Sequence, residues 1–259
     1  MNQKNSILEI DVPGLGPIVE GSDALRIAFR RRKDEFDYLK IHPADEAKFA
    51  ADEWSVHKKL QSHVWIKRQK SADRILEDRV WCLFYRMGYP VLSGPKFRIH
   101  FKRNDRSTGI KQVDVFAKDD ETAIVVECKA RETRGRRALQ KDIHETENLQ
   151  KGFAQAIRNF FGKGFNPRII WIYATNNIIW AESDVERADA ANIKIITENE
   201  LQYFEAFISH IGTAGRYQFL AEFLEGKEIP NLENVRVPAV KVNSERIRII
   251  ASLLARAIY

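Results

Sequence analysis

Residues 112–130, QVDVFAKDDETAIVVECKA, hold two apolar-rich runs separated by the polar break Lys118-Asp119-Asp120-Glu121-Thr122. Each run alternates with period two, the pattern of a half-buried strand, so the stretch commits the chain to a β-hairpin within a sheet. In the first run Val113, Val115 and Ala117 take one face and Gln112, Asp114 and Phe116 the other. In the second, Ile124, Val126 and Cys128 oppose Val125, Glu127 and Lys129. A symmetric turn centred between Asp120 and Glu121 sets Asp114 directly across from Glu127, with Lys129 next along the same face. Two carboxylates facing each other across a hairpin repel and destabilise the sheet unless positive charge lies between them. A divalent metal is the natural occupant. Oxygen-only ligands suit Mg²⁺, the backbone carbonyl of Cys128 offers a third oxygen, and Lys129 would then lie beside the metal-bound water.

The surrounding pattern is equally ordered from Ser71 onward. Ser71 reads as the N-cap of a helix whose apolar stripe is Ile75, Leu76, Val80, Leu83, Phe84 and Met87, and Gly88-Tyr89-Pro90 stops it. Glu77 shares part of the inward face of that helix with Val80, Trp81 and Phe84. Residues 97–101 read as the first strand of a meander that continues through 112–117 and 123–130. A helix is expected over 144–161, a buried parallel strand over 168–174, a short strand over 192–197 and a further helix from Glu198. A strand, helix, strand succession after a meander implies a right-handed crossover onto the same sheet.

An acid, a strand-length spacer and then Glu-x-Lys on a following apolar strand resembles the signature of the PD-(D/E)xK nuclease superfamily. The matching residues are Asp114, Glu127 and Lys129; Val113 stands where the proline of the superfamily's name would precede the acid, and many members lack that proline. The resemblance implies an α/β fold with a restriction-endonuclease-like core, a central mixed β-sheet flanked by helices, here with N- and C-terminal helical extensions. It implies Mg²⁺ as cofactor, with Mn²⁺ as substitute. It also implies an additional metal-site glutamate on the helix before the sheet, for which Glu77 is the candidate. The competing reading of Glu77 is a surface pair with Arg74. A polar residue on the helix after the Glu-x-Lys strand is expected to aim at the site; Gln150 is taken over Gln155 because it lies nearer the helix start.

The chain has 259 residues, enough for one sizeable α/β domain with extensions, and its 44% apolar and 30% charged residues are those of an ordinary globular protein. The division expected is an N-terminal, partly helical and basic extension over 1–70, a nuclease core over 71–210 and a C-terminal helical appendage over 211–259. In the first segment, residues 24–38 read as a strand or short helix, and a helix starting at Pro43 is expected to run through Trp54 to Leu60. Trp54 and Trp65 lie beside Lys58, Lys59, Lys67, Arg68 and Lys70; core packing is the reading taken for the tryptophans, nucleic-acid contact the other. Helices are expected over 217–224 and, basic and amphipathic, over 243–259. The latter offers a surface for a protein partner, and a homodimer is left open.

No signal peptide and no membrane-crossing apolar run is read from the sequence, and Cys82 and Cys128 read as core side chains, so a cytoplasmic protein is expected. There is no phosphate-binding Gly-x-x-x-x-Gly-Lys-Ser/Thr loop, and the six histidines lack metal spacing, which disfavours an ATPase and a zinc hydrolase. The net charge of +6 favours a polyanionic partner. Locally, Lys111 and Arg103 precede the first acid, and Arg131, Arg134, Arg136 and Arg137 follow the lysine; all six are read as nucleic-acid contacts. The latter four read as a loop that clamps phosphates beside the scissile bond, against the plainer reading of a solvated surface.

The function expected is therefore Mg²⁺-dependent hydrolysis of phosphodiester bonds in double-stranded DNA, by an endonuclease of restriction or phage-defence type. The alternatives are a catalytically inactive nucleic-acid-binding module of the same fold, a repair or recombination enzyme or an RNA nuclease, and an unrelated α/β protein with a surface salt-bridge network.

Overall fold

The two alternating runs form a hairpin at the centre of a seven-stranded sheet. In the computed structural model the described residues are 14–102, 107–162, 164, 166–216, 219 and 220. Along the chain, β1 (Leu15–Glu20) and α1 (Ser22–Arg32) lead into β2 (Phe36–Ile41), a 3-10 turn (Pro43–Asp45), α2 (Glu46–Ala50), β3 (Ser55–Lys59) and β4 (Val64–Gln69). Then come α3 (Ala72–Arg86), β5 (Val91–Lys102), β6 (Thr108–Gln112), β7 (Val115–Lys118) and β8 (Thr122–Arg136). The chain continues through α4 (Gln140–Phe161), β9 (Arg168–Ile179), α5 (Glu182–Ala190), β10 (Ile193–Ile196) and α6 (Glu198–Ile211).

The main sheet runs in the order β1-β5-β7-β8-β9-β10, with β6 paired to β5. β7 is antiparallel to β8, whereas β9 and β10 lie parallel to it, so the sheet is mixed and β8 is at its centre. Helices cover both faces. On one, Leu76, Val80 and Phe84 of α3 pack with Val115, Ala117, Ile124 and Val126, and α6 adds Leu201 and Phe204. On the other, Phe153 and Ile157 of α4 pack with Phe97, Phe116, Val125 and Trp171. The fold is thus α/β with a central mixed sheet flanked by helices. Ser71 caps α3, its hydroxyl accepting from Arg74 N–H at 3.3 Å, and Gly88 at φ 80° ends it in a conformation that glycine adopts without strain.

The first run is not one strand. β6 ends at Gln112, the chain bends at Val113-Asp114, and β7 begins at Val115. Val113 consequently packs with Phe97 and Phe116, on the opposite face from Val115 and Ala117. The alternation read from the sequence fails there because a bend shifts the side-chain phase by one residue.

The first 70 residues hold strands as well as helices. Residues 15–32 supply β1 and α1 to the main body, and 36–69 form a separate three-stranded sheet, β2-β4-β3. The helix expected from Pro43 to Leu60 stops at Ala50, and residues 55–59 and 64–69 pair as a hairpin instead. A buried ion cluster ties this sheet to the body. Arg32 Nη1 donates to Asp78 Oδ1 at 2.6 Å, Lys70 Nζ lies 2.9 Å from Asp78 Oδ2, and Lys70 also donates to the α1 carbonyls of Arg31 and Arg32.

Among the described residues no helix is long and apolar enough to cross a membrane. Cys82 and Cys128 are buried free thiols. The expected C-terminal helices and partner surface lie outside the described residues, apart from Phe219 and Leu220, and so does Arg103. Phe219 is fully buried against Phe84 and Phe204.

Candidate active site

The site is built where β7 stops and β8 runs on. The last pairs of the hairpin are Lys118↔Ala123 at the turn and Val115↔Val126 at the open end. Asp114 and Glu127 are the residues just beyond that last pair, Asp114 in the bend before β7 and Glu127 on β8. Beyond that pair no strand among the described residues pairs with β8 on its β7 side, and two backbone N–H groups need acceptors. Asp114 Oδ2 accepts from Cys128 N–H at 2.8 Å, and Asp73 Oδ1, from the first turn of α3, accepts from Ala130 N–H at 2.7 Å. In an extended strand the N–H and C=O of one residue point to the same side. The Cys128 carbonyl therefore faces the opening beside Asp114.

Glu127 is half-buried on the α4 face and Lys129 follows it, with Nζ 3.3 Å from Glu127 Oε2. Burial pushes the Glu127 carboxyl up to about 7, and the neighbouring Asp114 pushes in the same direction. Asp114 is raised by burial as well, against the Cys128 hydrogen bond and Lys129, which lower it. Glu77 is raised by burial and then by Asp114, so α3 brings its carboxylate within the field of the pair. Glu77 also forms the pair with Arg74, at 3.2 Å. Burial pulls the Lys129 ammonium down, but Glu127, Asp114 and Asp142 outweigh it and hold the group above its ordinary value.

Helix α4 begins at Gln140, four residues before the sequence suggests, and this changes which of its side chains meets the site. Gln150 Nε2 donates to the carbonyl of Ala191, tying α4 to the end of α5. The residue one turn earlier, Thr146, takes the expected place: it lines a small pocket with Glu127, Val125 and Trp171, and its hydroxyl lies 2.9 Å from Tyr173 Oη. Tyr173 pairs with Glu127 in the β8–β9 ladder, and burial raises its phenol. Lys111 sits beside the carboxylates and is paired with Glu145 of α4 at 2.7 Å. Sequence reasoning misses Asp73, Asp142, Glu145, Thr146 and Tyr173. Asp73 carries a readable signal, an acid in the first turn of the helix that holds Glu77; the α4 and β9 residues depend on helix register and strand pairing.

The expected arginine loop is the continuation of β8. Its pairing to β9 shifts between Ala130 and Gly135, and the extra residues bulge outward. Arg131 turns back on this bulge, donating to the carbonyls of Thr133 and Arg136, and Asn177 closes it from β9. Arg134 and Arg136 are exposed, and Arg137 lies 3.9 Å from Asp142.

Among the described residues no three His, Cys, Asp or Glu side chains converge into a metal cage. The donor set nevertheless fits a hard divalent cation. Asp114 and Glu127 are half-buried carboxylates, close enough for the Asp114 charge to raise Glu127 further, with Lys129 Nζ 3.3 Å from Glu127 Oε2. Mg²⁺ is commonly held by one or two carboxylates, with water completing its shell.

No family model matches the chain, and no curated protein matches it significantly. Solved structures similar at low identity include the following three. Protein VC1899 from Vibrio cholerae is 14% identical with a TM-score of 0.37, over 74% of this chain and 50% of that one. Can2 from Sulfobacillus thermosulfidooxidans, solved in complex with cyclic tetra-adenylate, is 14% identical with a TM-score of 0.36, over 71% and 50%. AF1548, a protein of unknown function, is 17% identical with a TM-score of 0.32, over 46% and 54%. The chain thus matches about half the length of each.

Proposed function

We propose that this protein is a metal-dependent nuclease of the PD-(D/E)xK kind, acting on DNA. One observation carries the reading: Asp114, Glu127 and Lys129 meet at the open end of the β7–β8 hairpin, with Glu77 of α3 in electrostatic reach of Asp114. Asp114, Glu127 and the Cys128 carbonyl are the oxygens that would hold Mg²⁺ or Mn²⁺, and Glu77 is the group that would assist a second ion. When bound, the metal supplies Lewis-acid stabilisation of a phosphodiester's developing charge and a nucleophile at neutral pH.

The chain's own residues do the remaining work. Lys129 is held protonated by its acidic neighbours, so it serves as a hydrogen-bond donor to a phosphate oxygen. A general-base role needs the opposite shift. Thr146 lines the pocket beside Glu127 and is held there by Tyr173, the β9 partner of Glu127. Arg134 and Arg136, exposed on the bulged end of β8, are placed to meet the phosphate backbone without touching the acids.

The test is incubation of the purified chain with supercoiled, linear and single-stranded DNA and with RNA, in Mg²⁺, in Mn²⁺ or in EDTA. Cleavage of DNA that needs the metal and is lost in Asp114→Asn, Glu127→Gln and Lys129→Met supports the reading. Undiminished cleavage in EDTA, or full activity in any of the three variants, overturns it.

A further inference from the structure

We infer that the outer face of the β2-β4-β3 sheet is a platform for single-stranded nucleic acid. The sheet has one covered face: Ile41, Val64 and Ile66 are buried there with Phe49 and Trp54, and Lys59 pairs with Glu46 of α2 at 2.9 Å. The strand register then fixes what the other face carries. Lys40, Trp65 and Lys58 form one row across the sheet, Tyr38, Lys67 and Ser55 the next, and Phe36 and Gln69 the third. None of these positions is acidic.

Rings and ammonium groups alternate on this face. Trp65, half-buried on the central strand, has a lysine on either side. Lys67 lies over the Phe36 ring at 4.4 Å, and the Tyr38 ring leans over the central strand to His57 at 5.1 Å. Of the two tryptophans in this segment, Trp54 packs inward against Phe49 and Arg68, whereas Trp65 belongs to the open face. Rows repeat about every 7 Å along a strand, so successive rings and cations can meet successive nucleotides. Ring faces accept unstacked bases while lysines neutralise phosphates, which is how sequence-tolerant single-strand binders work. A duplex keeps its base faces within its own stack and offers such a sheet only phosphates. An acidic peptide would use the lysines and leave the rings idle.

Binding of labelled 12-nucleotide DNA and RNA, of the corresponding duplex, and of polyglutamate as competitor should be measured by anisotropy with the full chain in EDTA. The readout is binding alone, so its result is independent of the cleavage test. Lys40→Glu/Lys58→Glu/Lys67→Glu should weaken single-strand binding at least tenfold and lower the slope of log affinity against log salt by roughly 0.7 for each phosphate no longer neutralised. Tyr38→Ala/Trp65→Ala should cost about 5- to 150-fold for each ring removed from the stack, with Trp65→Phe retaining most of the affinity. The DNA and RNA arms show which strand is preferred. Wild-type affinity in the lysine variant, a preference for duplex, or equal competition by polyglutamate overturns the inference, and the lysine variant tests it even where Trp65→Ala fails to fold.

Discussion

Cys128 donates its backbone N–H to Asp114 Oδ2 at 2.8 Å, so the carboxylate proposed to hold metal also completes the sheet where β7 ends. Removing it therefore has two effects. Asp114→Ala should abolish cleavage and also destabilise the fold by about 1–3 kcal/mol, because a backbone donor in the sheet loses its partner. Asp114→Asn keeps a carbonyl for Cys128 and should lose cleavage with a smaller stability loss. Denaturant melts of the two variants separate the effects; equal stability in Asp114→Ala and wild type would refute the capping role.

Glu127 titrates at about 7 in the folded chain, against 4.5 as its ordinary value. The carboxyl is thus easier to protonate folded than unfolded. Its contribution favours the fold fully below the unfolded value and is lost as pH rises through the folded one. The stability of wild type relative to Glu127→Gln, measured without metal, should fall between pH 4.5 and 7. Mg²⁺ should stabilise wild type more at about pH 8 than at about pH 5, since protons and metal compete for the same carboxylates. A flat difference across this range would remove the assignment.

Thr146 should take the role that the sequence assigned to Gln150. Gln150→Ala should leave the cleavage rate unchanged and lower stability by about 0.5–1.5 kcal/mol, the worth of its bond to Ala191. Thr146→Val should slow cleavage by roughly 2- to 10-fold through the loss of one orienting hydrogen bond beside Glu127. A slow Gln150→Ala enzyme with a normal melting curve would reverse this order.

Asp78 holds Arg32 and Lys70 together in the interior, with 3% of its side chain exposed. Asp78→Ala leaves two buried cations without their partner and should cost about 3–5 kcal/mol. Combining it with Lys70→Met should recover part of that loss. A double variant as unstable as the sum of the single ones would show that the charges do not act as a unit.

The arginines after Lys129 should divide. Neutralising Arg134, Arg136 and Arg137 together should flatten the salt dependence of duplex binding by roughly 0.9 for each phosphate that the variant no longer neutralises. Arg131→Ala should disturb the bulge and leave that slope unchanged, because its guanidinium is engaged by the carbonyls of Thr133 and Arg136. The measurement is affinity at several salt concentrations.

The period-two runs around Asp114 and Glu127 determined the hairpin and its register, because side-chain alternation and turn length depend only on neighbouring residues. The same local signals carried α3, with Ser71 at its start and Gly88 at its end, and the apolar run that becomes β9. The phase break at Val113-Asp114 arises from pairing to β5, a strand distant in sequence, and no local pattern announces it. The extra first turn of α4 likewise has no local signal. Leu139 ahead of it is buried and its N–H is accepted by Asp184 of α5, so tertiary contacts set where the helix begins and place Thr146 at the site in place of Gln150. For residues 43–69, helix-start chemistry at Pro43 governed only one short turn and α2. Whether the next residues extended that helix or paired with β2 was decided by burial of Ile41, Val64 and Ile66 together, a contact among strands that only the folded chain brings to one face.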